Sequence, residues 1–157
     1  MSTSSPLATA TPPDRLTIWA GRAMIFIALA HTAVFAPLAP WASWLAGDLR
    51  DGLADGDSQA VFWALPGGFV VVLALLGLLV ARAGRQGQQV PGYVGWALLA
   101  WGAIGVGLIG MSGFITAIVP SGLLIAANVI AVRERRDRRA VRGGHDRPGG
   151  ITRRQTP

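Results

Sequence analysis

The chain has 157 residues, half of them apolar (52%) and only 14% charged, with a net charge of +6 and no cysteine. Soluble domains carry about 25% charged residues, so this balance argues against a soluble fold. The lack of cysteine excludes disulfides, zinc–thiolate centres, iron–sulfur clusters and thiol nucleophiles.

The charges are also segregated. They fall at the N-terminus, near residue 50, at Arg82 and Arg85, and in the last 25 or so residues. A membrane bundle confines charge to its ends in this way, whereas a soluble fold spreads it over every amphipathic helix. The expected fold is therefore all-α: a four-transmembrane-helix bundle with a short interfacial amphipathic helix between spans one and two. A disordered tail (1–15), a transmembrane domain (16–133) and a basic, disordered cytoplasmic tail (134–157) are expected.

The Pro-rich tail lacks the basic region of a cleaved signal peptide, and the apolar run behind it exceeds a signal core. It reads as an uncleaved first span, about 16–36. Trp19 suits an interfacial aromatic belt and Arg22 can snorkel to the same layer. His31 lies roughly 20 Å along this helix at 1.5 Å per residue, past the midplane. An ionisable group at that depth marks a candidate functional site. The plainer reading carries more weight: a neutral histidine bonded to a neighbouring helix or wetted from the far interface, since no second histidine or carboxylate in the spans completes a site.

Trp41, Leu45, Leu49 and Leu53 recur every four residues, which predicts one face of a short helix lying in the interface. Asp48, Asp51 and Asp55 occupy another face. Their spacing does not match a calcium loop, and a solvated acidic face is the reading adopted. The second span, about 60–82, meets Pro66-Gly67-Gly68 early, so the helix either begins at the proline or kinks there. The Val/Leu block that follows can face lipid and holds no reactive atom.

Span three, about 93–110, opens on Tyr93 and Trp96. Gly102, Gly105, Gly107 and Gly110, with the pair Ala103 and Gly107, predict a close-packing surface. Span four, about 113–133, carries Pro120, which should kink or split it. Asn128 is expected to hydrogen-bond between helices, with His31 one partner to consider. Arg133, Arg135, Arg136, Arg138 and Arg139 then form a juxtamembrane cluster of the kind drawn to anionic lipid headgroups. Nucleic-acid binding is not expected, because no aromatic residues interleave the arginines. With four spans the arginines share one side and the Asp-rich loop takes the other. The positive-inside rule makes the arginine side, with both termini, cytoplasmic.

Trp19-Ala-Gly-Arg22, His31-Thr32, Val90-Pro-Gly-Tyr-Val-Gly-Trp96 and Pro120-Ser-Gly122 together resemble a family of small four-helix bacterial integral membrane proteins, typical of actinobacteria and without an assigned function. The resemblance covers roughly residues 17–133. It implies a four-helix fold in the plasma membrane and no activity.

Functionally, the residues point to a non-enzymatic membrane scaffold or accessory subunit, without a cofactor, working through helix packing, as a homo-oligomer or with a membrane-protein partner. The competing expectation is a small oligomeric transporter or channel in which His31 is the titratable intramembrane group. An enzyme is not expected, since one histidine and scattered hydroxyls make no nucleophile–base or metal constellation. Haem ligation by His31 alone lacks a second ligand.

Overall fold

A computed structural model describes residues 12–110 and 112–145, with side chains described as far as residue 140. Among the described residues every regular element is helical: α1 (Arg15–Phe35), α2 (Trp41–Ala46), α3 (Gly56–Ala64), α4 (Phe69–Arg85), α5 (Gly92–Ile109) and α6 (Ile118–His145), with 3-10 turns at Ala36–Leu38 and Gly113–Ala117. Four stretches, Arg15–Leu38, Gly56–Arg85, Gly92–Ile109 and Gly113–Ala140, are long and apolar enough to cross a membrane. At 1.5 Å per residue, the 21 residues of α1 match a hydrocarbon core about 30 Å thick.

Asp14 starts α1. Its carboxylate accepts from the backbone N–H of Leu16 (3.0 Å) and Thr17 (3.4 Å) and from the Thr17 hydroxyl (2.6 Å). An N-cap of this kind stabilises a helix by about 1 kcal/mol. The Asp14 N–H also donates to the Gly84 carbonyl at 2.9 Å, which ties the start of α1 to the end of α4. Asp14 thus belongs to the folded bundle, and the structured region begins earlier than the expected tail boundary at residue 15.

The core is the α1–α4 seam. On α1 the buried residues are Thr17, Ala20, Gly21, Met24 and Ala28. On α4 they are Val70, Leu73, Gly77, Val80, Ala81 and Gly84. Both sets recur at three- and four-residue intervals, one face of a helix. A Cβ on Gly21 would stand 2.5 Å from the Ala81 nitrogen and the Gly77 oxygen, and one on Gly77 would stand 2.7 Å from the Gly21 oxygen. The two backbones therefore touch, as small residues permit between membrane helices. Val71, Val72, Leu75, Leu78 and Leu79 of the same Val/Leu block face outward.

α6 packs against α1 and α5, while α4 and α5, although consecutive, do not pack along their lengths. The glycines of α5 divide. Gly95, Gly102 and Gly105 are buried, where added Cβ atoms would meet Leu124 and Ile125, Ala117, and the Phe114 ring respectively. Gly107 has nothing near it and Ala103 is exposed. The expected Ala103–Gly107 pair therefore points away from the bundle, because the buried face of α5 runs through residues 95, 98, 102 and 105.

Span two is broken rather than bent. α3 ends at Ala64, residues 65–68 turn, and α4 starts at Phe69. Span four divides into the 3-10 turn and α6, so Pro120 occupies the first turn of an α-helix, where its missing N–H would lack a partner in any case. The Ser121 hydroxyl donates to the Ala117 carbonyl at 2.6 Å.

The segment 41–53 does not form one continuous amphipathic helix. α2 stops at Ala46 because Gly47 turns left-handed (φ 108°), leaving Leu49 in the turn and Leu53 in the irregular segment beyond it. Leu45 is 87% exposed. The acidic residues are taken up locally: Asp48 accepts from the Ser43 hydroxyl, Asp51 pairs with Arg50, and Asp55 caps α3 through the Ser58 N–H. No metal-binding cluster of His, Cys, Asp or Glu exists among the described residues. At the opposite end α6 continues to His145, so the tail expected to be disordered from residue 134 begins as helix. Residues 146–157 of the expected tail lie outside the described residues.

Candidate functional site

A cavity of about 750 Å³ opens where α4 and α5 separate. α1 supplies Phe26, Ala30, His31, Val34 and Phe35; α3 supplies Trp63 and Ala64; α4 supplies Phe69 and Leu73; α5 supplies Leu98 and Trp101. The segment Ser112–Ala117 and Pro120 close the far wall. The volume lies within the roughly 300–1,000 Å³ range of small-molecule sites, which are mostly apolar with a few placed polar groups.

An aromatic row backs this cavity. The His31 ring lies 4.6 Å from Phe35 and 5.0 Å from Phe69, centroid to centroid. Phe69 continues to Trp101 at 5.3 Å, and Trp101 to Phe114 at 5.0 Å. Tilted and edge-to-face arrangements at these spacings are favourable aromatic contacts. The row bridges α1, α4, α5 and the 3-10 turn, and it closes the bundle at the end where α4 and α5 diverge.

His31 and Ser112 are polar residues of this apolar lining, and the Ser112 oxygen itself is closed off from the space. Other hydroxyls and amides of the spans turn back to their own helix or turn: Thr32 to the Ala28 carbonyl, Thr116 to Gly113, Ser121 to Ala117 and Asn128 to Leu124. The Ser112 hydroxyl oxygen is buried and has no partner among the described residues. His31 stands beside it in the chain fold: a Cβ on the adjacent Gly113 would be 3.7 Å from His31 Nδ1. Sequence reading reached His31 through its depth in span one. It did not reach Ser112, whose only sequence signal is a small polar residue between Gly110 and Gly113.

Asn128 and His31 are not partners. His31 faces the start of the fourth span at Gly113, whereas Asn128 lies further along α6, beside Gly92 at the start of α5. There a second, shallower cavity is lined by Gln89, Gly92, Asn128, Arg133, Arg135 and Arg136. Arg135 donates to the Gln89 side chain, joining α6 to the α4–α5 turn. Arg138 and Arg139 are exposed further along α6 and do not line it. The guanidinium of Arg22, at the same end of the bundle as the Asp14–Gly84 tie, lies 5.0 Å from the centroid of the Trp19 ring.

The fold and this cavity define a multi-pass helical membrane protein with a ligand-sized apolar chamber. A family model described as a family of unknown function, DUF6463, matches residues 15–131, and the chain belongs to that family. The match reaches into all four apolar segments and includes every residue that lines the chamber. No curated protein and no solved structure matches the chain.

Proposed function

We propose that this protein is a non-enzymatic, multi-pass protein of the plasma membrane that holds an uncharged, lipid-soluble small molecule in the chamber between α1, α4 and α5, acting as an accessory or scaffold subunit. The chamber itself carries the reading: a ligand-sized volume with an aromatic wall that includes the His31 imidazole. Its rim is apolar and faces outward, with Phe26 71%, Trp63 61% and Ile109 67% exposed, so the entrance opens onto the surface that lipid would cover. Replacing Ala30 by Phe fills the chamber from α1 without touching the α1–α4 seam. Native mass spectrometry of membrane-purified protein is expected to show a bound small molecule on the wild type and none on Ala30→Phe. Equal retention by both proteins would refute the chamber as the binding site.

Both termini are placed in the cytoplasm. The arginines of the α1 start, the α4 end and α6 gather at one end of the bundle, and positive residues favour the cytoplasmic side. The α6 arginines then lie against anionic lipid headgroups, each contributing about 1 kcal/mol near the surface. Reporters fused to either terminus are expected to read cytoplasmic, and a reporter inserted at Gly52 to read external. An external C-terminus would overturn the orientation.

One observation favours a second reading, a small oligomeric transporter. The second span is discontinuous at Leu65–Gly68, next to the His31 chamber, and broken helices beside a cavity recur in transporters. In that case pH-driven flux into proteoliposomes would appear with wild type and vanish with His31→Ala. Equal flux through both would remove His31 from any transport step.

A further inference from the structure

The second cavity, between α6 and the α4–α5 connection, is built differently from the chamber. We propose that it seats one anionic phospholipid, with the headgroup phosphate held by Arg133, Arg135 and Arg136 and the acyl chains lying against the apolar side of the same cavity. The site rests on the reading that places the α6 arginines against anionic headgroups, and it gives that attraction a position and a stoichiometry.

The position follows from α6 itself. From Ile118 to Val132 the helix holds no charged residue, and from Arg133 to Arg139 it holds only charged ones. The cavity straddles that change. Val129 and Val132 line it on the apolar side, the arginines at 133, 135 and 136 on the charged side, and the segment 89–92 forms the opposite wall. At 1.5 Å per residue, Val129 to Arg136 covers about 10 Å, enough to reach from hydrocarbon through the headgroup layer.

The charge is uncompensated. Among the described residues the one ion pair is Arg50–Asp51, so no carboxylate pairs with these arginines. Glu134 and Asp137, the acidic residues of the segment, do not line the cavity. Asp137 stands four residues from Arg133, the spacing of a helical ion pair, and makes none. A guanidinium carries five donors in a fixed fork that fits phosphate oxygens. The Gln89 side-chain oxygen accepts from Arg135, which holds that fork at the cavity wall. Basic pockets between membrane helices on the cytoplasmic side take phosphate headgroups in this way.

The apolar side selects a lipid over a soluble anion. Val129 and Val132 are exposed, as are Ile130 and Tyr93 next to the lining residues in the chain. An acyl chain leaving the arginines covers that surface, whereas a free phosphate leaves it bare. A volume of about 610 Å³ also admits a headgroup with its glycerol, more than a single phosphate ion fills.

The test uses the full chain in detergent, stripped of lipid, titrated with dioleoyl phosphatidylglycerol and read by native mass spectrometry. Wild type is expected to saturate at a single tightly held lipid, and equal concentrations of dioleoyl phosphatidylcholine, oleate or inorganic phosphate are expected not to displace it. Arg135→Gln/Arg136→Gln should weaken binding about thirtyfold, two arginines at about 1 kcal/mol each. Arg138→Gln/Arg139→Gln removes the same charge outside the cavity and should stay within about twofold of wild type. All four side chains are exposed, so both variants keep the fold. Equal losses in the two variants would overturn the site and leave only a diffuse attraction. No loss in either would overturn the site and the headgroup contact together. Displacement by phosphatidylcholine would remove the charge requirement, by oleate the phosphate, and by inorganic phosphate the lipid; each overturns the assignment. Ala30→Phe, which fills the chamber, should bind phosphatidylglycerol as wild type does, and a loss there would move the lipid into the chamber and overturn the seat at α6.

Discussion

Replacing Gly21 by Ala is expected to cost about 3 kcal/mol, the upper end of the usual range for overpacking a filled core, and to lower the thermal midpoint of the detergent-solubilised protein followed by circular dichroism. The reason is the identity of the atoms in the way. The new methyl carbon would stand 2.5 Å from the Ala81 nitrogen and the Gly77 oxygen. These are backbone atoms of a helix, which cannot rotate aside as a side chain does, so α1 and α4 must separate. Separation would propagate to Met24 and Leu73, both in the buried cluster, and to the Asp14–Gly84 hydrogen bond at the end of the seam. Gly77→Ala meets the Gly21 oxygen at 2.7 Å and should act at the same point. The double variant is therefore expected to cost less than the sum of the singles, since helices already parted make room for both methyls. Gly107→Ala is the matched control: it adds a methyl into open space, and alanine is the better helix former by about 1 kcal/mol, so its midpoint should not fall. A Gly21→Ala midpoint equal to wild type would refute the backbone contact between α1 and α4.

This seam was not legible in the sequence. Glycine density pointed to α5, whereas the closest approach uses single glycines on two helices, Gly21 and Gly77, set far apart in the chain. Spacing within one helix identifies a face that permits close approach; it cannot say which other helix fills it. The four apolar spans were readable because a long run without charge has one physical solution, burial in hydrocarbon. The local punctuation was readable too. Pro66-Gly67-Gly68 breaks span two and Pro120 falls where span four divides, both direct consequences of proline's missing N–H. The chamber was half readable. His31 stood out because an ionisable residue inside a span is rare. Ser112 did not, because a serine between spans normally faces water, and only the fold reveals that this one is buried and unpaired. The aromatic row escaped for the same reason as the seam: Phe35, Phe69, Trp101 and Phe114 come from four separate elements.

Gly68→Ala is expected to couple the broken span to the chamber, lowering both stability and ligand retention. An added Cβ at Gly68 would collide with the carbonyl oxygen of Trp63, the backbone of the preceding helix. Gly67 differs, since the atoms nearest its Cβ would belong to the Phe62 ring, which can swing away. Relieving the Gly68 collision requires the 65–68 turn to open, and the first residue to move is Phe69, which starts α4 and stands between His31 and Trp101 in the aromatic row. On the other side of the turn, Trp63 at the chamber mouth moves as well. The expected result is a loss of about 1–3 kcal/mol in stability, the usual range for a forced backbone shift, together with weaker retention of the bound molecule seen by native mass spectrometry. Gly67→Ala should cost less and leave retention near wild type. The comparison separates two accounts of the break. If Gly68→Ala lost stability but retained ligand fully, the turn would be a structural joint with no bearing on the chamber. Loss of both, with Gly67→Ala sparing retention, would make the discontinuity in span two the element that sets the shape of the aromatic wall.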